Sequence, residues 1–303
     1  MDRRWQLVLD YLDTREPPPF CKGTLVGFRK GLIEHELDKR LLERTVEVAR
    51  RRGGFSSRRL RAALDCSPLW GAGRVEDTYN LLGHALKKAL GVIARQQGRG
   101  LAEVAAQAGA SVVVGTSLKA ALDLNWDDPD ERAQALGRVL EALDAVEGYL
   151  DDAAGEGEAR PAGIETARRV RAQDVEEGTD GPPSLRRGVA RERQVSVEDP
   201  EMRHGRKSHR HRFEGYKRHV LRDLETGLVR AVGVTPANMP EAKATEDIAR
   251  DLAAQEVELE ELHIDRAYLS SELVRERQRT PQGRAKLRER VGWRTPTTSW
   301  DTP

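Results

Sequence analysis

RLRAALDCSPLWGAG, residues 59–73, is the stretch on which the fold turns. It is short and apolar, and Pro68, Gly71 and Gly73 close it, a pattern that predicts a buried strand from Leu60 to Cys66. Asp65 falls at the end of that strand. Downstream, Leu81, Leu82, Ala85, Leu86, Ala89, Leu90 and Ile93 recur at helical spacing and predict a helix from Asp77 to about Gln97. Further helices are expected around 101–108, 116–123 and 129–152. The stretch 153–193, rich in Ala, Gly, Glu and Arg with Pro182-Pro183, reads as a weak helix followed by a flexible linker.

The pattern changes after Val195. Residues 212–222 and 228–235 read as two strands joined by a turn at Leu224-Glu225-Thr226-Gly227, and a helix is expected over 241–254. ELEELHIDRAY, residues 258–268, then gives a strand ending at Asp265, with a helix from about Ser270. The order is strand, helical insertion, hairpin, helix, strand, helix, which is a mixed α/β chain. Upstream, Trp5, Val8, Leu9 and Leu12 share one helical face, Thr24 can cap a helix with Leu25, Phe28, Leu32 and Ile33 inward, and another helix spans about Asp38–Arg51 with Leu41, Leu42, Thr45, Val46 and Ala49 inward. The first 57 residues thus read as a small helical unit bounded by Gly53-Gly54.

The chain has 303 residues, room for a sizeable core and two structural units. No run of about 18 apolar residues suits a membrane span, and MDRRWQLVLDYLD lacks a signal-peptide core, so a cytoplasmic protein is expected. Cys21 and Cys66 are too few for a four-ligand zinc site, and a disulfide between them is not expected. A net charge of +1 argues against a globally basic DNA binder. Locally, Arg203, Arg206, Lys207, Arg210, Arg212, Lys217, Arg218 and Arg222 are accompanied by Glu214 alone among acids, which suggests one polyanion-facing surface. A solvated charged face is the simpler alternative.

Asp65 and Asp265 stand out as acids at the ends of two expected strands. Side by side, their oxygens suit Mg²⁺ or Mn²⁺, and metals so held activate a water or a 3′-hydroxyl for phosphodiester cleavage. Each is equally a helix cap or a turn residue when considered alone. Tyr216 suits stacking on an unpaired base or cross-strand packing. His204, His209 and His211 fit a phosphate-facing stretch better than a zinc site, and His263 shares a strand face with Asp265.

Residues 60–88, 195–238 and 261–271 resemble, in order, the first catalytic block, the hairpin block and the second-aspartate block of bacterial insertion-sequence transposases of the DDE type. Residues 3–13 and 24–49 are similar to that family's N-terminal helical domain. The resemblance implies an RNase H-like mixed sheet with a long helical insertion (77–193, linker included) within a catalytic domain over 58–290, behind an N-terminal helical domain over 1–57. It implies Mg²⁺ or Mn²⁺, DNA at transposon ends and target as partner, and a homo-oligomer on DNA. Asp65 and Asp265 match the family's two aspartates as catalytic residues and metal ligands. Arg203, Gly205, Arg206, Lys207 and Ser208 match its RxGRKS stretch, and Gly215, Tyr216 and Lys217 its GYK; with Arg218, these basic and polar side chains are the expected DNA contacts.

The resemblance fails where the third acid is due. TPQGRAKLRERV, residues 280–291, resembles the segment before the family's glutamate, yet Gly292-Trp293-Arg294-Thr295-Pro296 follows, and 291–303 reads as an aberrant, disordered tail. The expectation is a C-terminally truncated, inactive transposase copy. The alternatives are a non-catalytic DNA-binding or transposase-binding fragment and a general RNase H-like nuclease.

Overall fold

The computed structural model describes residues 21–35, 37–53, 59–153, 161–178, 182–207, 210–279 and 287–289. The expected helix at 1–13 and the tail at 291–303 lie outside them.

The strand read from 59–73 is longer than expected, β1 spanning Arg59–Trp70. Its alternation puts Ala62 and Leu64 inside, while Arg61 and Asp65 face out. β1 pairs antiparallel with β5 (Arg212–Asp223) and parallel with β7 (Glu258–Ile264). β4 (Arg203–Arg206) and β6 (Val229–Pro236) both pair with β5 antiparallel, β4 along its first residues and β6 along the rest. β8 (Leu287–Glu289) runs parallel to β7, so the sheet order is β4-β5-β1-β7-β8 with β6 beside β5. An antiparallel half joined through β1 to a parallel half is the RNase H-like arrangement that was expected. β8 was not: its KLRERV stretch is too short and charged to show a strand period.

Between β1 and β4 lie α3 (Thr78–Gln96), α4 (Leu101–Gln107), α5 (Leu118–Leu122), α6 (Pro129–Ala153) and α7 (Ala162–Asp174), after α1 (Lys22–Glu34) and α2 (Asp38–Arg51). α3 starts because the Asp77 side chain accepts from the Asn80 amide, and its apolar stripe is buried along its whole length. The insertion has its own apolar core, including Leu82, Leu86, Leu90, Leu136, Leu143 and Ile164. α7 is the helix expected within 153–193, and it is part of the core: Ile164, Ala167 and Val170 are fully buried. Small residues make this possible, since a Cβ on Gly163 would stand 2.4 Å from the Ala85 carbonyl oxygen. Close helix approach replaces the large apolar side chains by which sequence patterns are recognised. A short two-stranded ribbon follows, β2 (Val175–Glu176) against β3 (Ser184–Leu185).

After β6, a 3-10 turn Glu241–Ala244 leads into α8 (Thr245–Ala254), which packs on the sheet through Ile248 and Leu252. A second 3-10 turn, Arg266–Tyr268, follows β7 and precedes α9 (Glu272–Arg279). α2 leans on this side: Val46 is buried, and Lys39 Nζ donates to Asp251 Oδ1 at 2.7 Å. Leu41, expected inward, is instead 50% exposed, and Leu25, Phe28 and Ile33 on α1 are 46%, 53% and 73% exposed. Thr24 does not cap α1, which begins after Cys21 without a side-chain cap.

Candidate active site at the ends of β1 and β7

The parallel register pairs Arg61 with Glu261 and Ala63 with His263. The pairing ends there, two residues short of Asp65 and Asp265, and the Asp65 charge still reaches Asp265. Each aspartate is braced by backbone: Asp65 Oδ1 accepts from the Cys66 amide at 2.8 Å, and Asp265 Oδ1 from the Ala267 amide at 2.9 Å. Asp265 therefore also caps the 3-10 turn, as the turn-residue reading expects. Asp65 is exposed and Asp265 half-buried. Burial raises the Asp265 pKa first, and the negative charges of Glu241 and then Asp65 raise it further.

Glu241 is a third acid near this pair, and its local sequence does not mark it. It opens the 3-10 turn after Pro240, and its Oε1 lies 3.6 Å from Lys217 Nζ, both side chains being largely buried. The Cys66 thiol, pushed up to about 12 by burial and then by Glu241, faces the same space. Behind them His219 is fully buried, its Nδ1 2.7 Å from the Tyr268 hydroxyl and its Nε2 3.0 Å from Thr235 Oγ1. Burial holds its pKa down at about 4, so the ring is neutral near pH 7. The only sequence signal for Glu241 is an acid just after a proline at a strand's end, which elsewhere is an ordinary helix start. His263 turns to Glu261, 2.8 Å away, and Glu261 is also held by Arg61 Nε at 2.8 Å.

The expected DNA contacts divide. Arg206, Lys207 and Arg218 are exposed, with Arg218 Nη2 donating to Ser67 Oγ at 3.0 Å beside the Asp65 face. Arg203 is partly buried and donates through Nη1 to the Pro200 and Met202 carbonyls. Lys217 points into the acidic cluster and donates to the Met239 carbonyl at 2.9 Å. Tyr216 is half-buried and donates its hydroxyl to Asp199. Gly215 admits the close crossing of β5 over β1: its φ is +142°, and a Cβ there would meet Leu69 O at 2.3 Å. Ser208 and His209 lie outside the described residues.

The donor set fits a hard divalent cation in kind, being carboxylate oxygens, and Glu241 Oε2 is a buried oxygen without a hydrogen-bond partner. Among the described residues, no three His, Cys, Asp or Glu side chains are yet arranged around one point as a metal site. No helix among them is long and apolar enough to cross a membrane.

Residues 184–298 match the family model described as the transposase DDE domain. The matched span contains Glu241, Asp265 and the basic stretch, while Asp65 and the helical insertion precede it. Neither the curated proteins nor the solved structures contain a match to the chain. The mixed sheet, antiparallel on one side of β1 and parallel on the other, agrees with that match, and together they support a DDE-type transposase domain over residues 184–298.

Proposed function

We propose that this chain acts on DNA as an insertion-sequence transposase, with Asp65 and Asp265 as the residues that hold a divalent cation, Mg²⁺ or Mn²⁺. The observation that supports this best is the parallel pairing of β1 with β7, which ends at Ala63 and His263, two residues before Asp65 and Asp265. When bound, the cation supplies activation of a water or 3′-hydroxyl and stabilisation of the leaving oxygen. The chain's own side chains do the rest. Arg218, steadied by Ser67, lies on the strand beside Asp65 and suits a scissile-strand phosphate. Arg206 and Lys207, exposed at the end of β4, suit the flanking backbone. Assembly as a homo-oligomer on DNA and residence in the cytoplasm belong to the same reading.

A second reading, a non-catalytic DNA-binding or transposase-binding protein, is favoured by the lack of a ready three-donor metal arrangement among the described residues. Strand cleavage of end-sequence duplexes by the full chain with Mn²⁺ separates the two. Cleavage that falls at least about a hundredfold in both Asp65→Asn and Asp265→Asn supports the enzyme, two to three orders of magnitude being usual for a lost group that stabilises charge at the reacting centre. Duplex binding without any Asp65-dependent cleavage supports the second reading.

A further inference from the structure

β1 ends on Trp70, which is 60% exposed although it closes a central strand of the sheet. The residue is nonetheless held firmly. Its backbone pairs with Gly215, and the next amide, that of Gly71, donates to the Glu214 carbonyl at 3.0 Å. The Ala72 amide donates to Asp199 Oδ2 at 3.1 Å, and Asp199 is itself bound by the Tyr216 hydroxyl. Met202 closes on the turn, since a Cβ on Gly71 would stand 2.8 Å from its Sδ. The indole meets the buried Phe213 ring nearly at right angles, with 6.2 Å between centroids. A perpendicular contact occupies an edge or one face, so a broad indole face remains open. A large aromatic side chain on a frame already fixed loses little further freedom when a flat ligand settles on it.

The surroundings of this ring are basic. Arg203 pairs with Gly215, so Arg203, Gly215 and Trp70 form one row across β4, β5 and β1. The Arg203 Nε is buried and without a hydrogen-bond partner. Arg206, Lys207 and Arg212 are exposed at the end of the same β4–β5 pair. The acids close by are engaged, Glu214 facing His204 and Asp199 holding Tyr216. Such a setting suits a polyanion with flat, apolar rings, which is a nucleic-acid strand. In a paired duplex the base faces are stacked on one another, so an indole face reaches a base only where that base is unpaired. Trp70 lies five residues beyond Asp65 along the strand, about 17 Å at ~3.3 Å per residue. That is about five nucleotides at ~3.4 Å each along one stacked strand.

We propose that Trp70 is a stacking site for an unpaired DNA base lying about five nucleotides from the phosphate at Asp65. The proposal rests on the reading above that the chain acts on DNA. Trp70 touches the bound strand at a distance from the reacting atoms and serves to position it.

The test uses the full chain and a single-stranded oligonucleotide of about 16 nucleotides with one 2-aminopurine, beside a blunt duplex of the same sequence. Anisotropy reads affinity, 2-aminopurine quenching reads stacking, and thermal unfolding controls the fold. Trp70→Ala should weaken single-strand binding about tenfold, the usual scale for one stacked base, and relieve the quenching. Trp70→Leu, which keeps apolar bulk against Phe213, should do the same, while Trp70→Phe retains most of the binding. Duplex binding and the salt slope of single-strand binding should stay those of the parent chain, because no charge has been removed. Unchanged single-strand binding in Trp70→Ala and Trp70→Leu, with cleavage still dependent on Asp65, overturns the role of Trp70 and leaves the DNA reading standing. An equal loss on single strand and duplex also overturns stacking on an unpaired base. Failure of the parent chain to bind either form overturns the DNA reading together with the proposal. Should Trp70→Ala lose its fold, Trp70→Leu and Trp70→Phe decide by the same measurements.

Discussion

The helical insertion and the sheet bury side chains by different rules. The core of the insertion is almost wholly apolar, Leu82, Leu86, Leu90, Leu143 and Ile164 meeting with no ionisable group among them. Its polar burial is confined to the base, where Asp174 accepts from Thr78 Oγ1 at 2.8 Å and from Arg193 Nε at 2.9 Å. The sheet carries Leu60, Leu64, Leu221 and Ile264, yet it also buries His219, Thr235, and Arg230 against Asp223. A region that only has to hold together does best with interdigitated aliphatics. A region that holds carboxylates at its edge carries polar groups behind them, each needing a partner. The insertion spaces the segments that make the site, and the sheet makes it.

Removing a partner from the sheet's buried charge pair should have the largest effect. Arg230 Nη1 donates to Asp223 Oδ2 at 3.2 Å and Nε to Gln255 Oε1 at 2.8 Å. Asp223→Ala leaves a buried guanidinium without its counter-charge, so a loss of about 3–5 kcal/mol in urea unfolding is expected. Asp223 Oδ1 also accepts from the Glu225 and Thr226 amides, so Asp223→Asn should retain part of the turn and lose less. In the insertion, Leu86→Ala removes a fully buried side chain, with an expected loss of about 2–5 kcal/mol from transfer and cavity together. The comparison sharpens on a third measurement, Mn²⁺ binding: Leu86→Ala should leave it unchanged at temperatures where the chain is folded. A matching loss of binding would show that insertion and sheet are not separable in this sense.

Acid should weaken the sheet first. His219 has a folded pKa near 4 against a reference of 6.5, so the unfolded chain takes up the proton before the folded one does. Its contribution is intact above pH 6.5 and declines as pH falls toward 4, a loss of at most about 3.5 kcal/mol at roughly 1.4 kcal/mol per unit. The raised pKa of Asp265 works in the opposite direction, since protonation at lower pH relieves first the cost of burying its charge and then its repulsion with Glu241 and Asp65. His219→Gln should flatten the stability profile between pH 6.5 and 4. A profile that keeps its slope would remove His219 from the account.

The smallest expected effect separates the exposed basic residues from Lys217. Arg206→Ala, Lys207→Ala and Arg218→Ala together should reduce the salt dependence of duplex binding, by about 0.9 in log–log slope for each phosphate that is no longer neutralised. Adding Lys217→Ala should change that slope little, because its ammonium is occupied by Met239 and Glu241. A further drop of the same size would return Lys217 to the DNA-facing surface.

The amino-acid sequence by itself determined the local elements and their order. The alternation in 59–66 made a strand, the leucine stripe of 81–93 made α3, and the two apolar runs flanking Leu224–Gly227 made the hairpin, because these periods are set by backbone geometry within a few residues. Asp65 and Asp265 were legible for the same reason, as acids where apolar runs stop. The tertiary structure decided what depends on residues distant in the chain. α7 comes close enough to α3 to bury Ile164, Ala167 and Val170 because Gly163 has no Cβ, and β8 exists because β7 offers it an edge. The apolar face of α1, legible as a stripe, is left exposed because no described element covers it. Glu241 and Lys217, far apart in the chain, meet only because the 3-10 turn after β6 folds over β5, since burial and charge proximity are set by packing and not by sequence spacing.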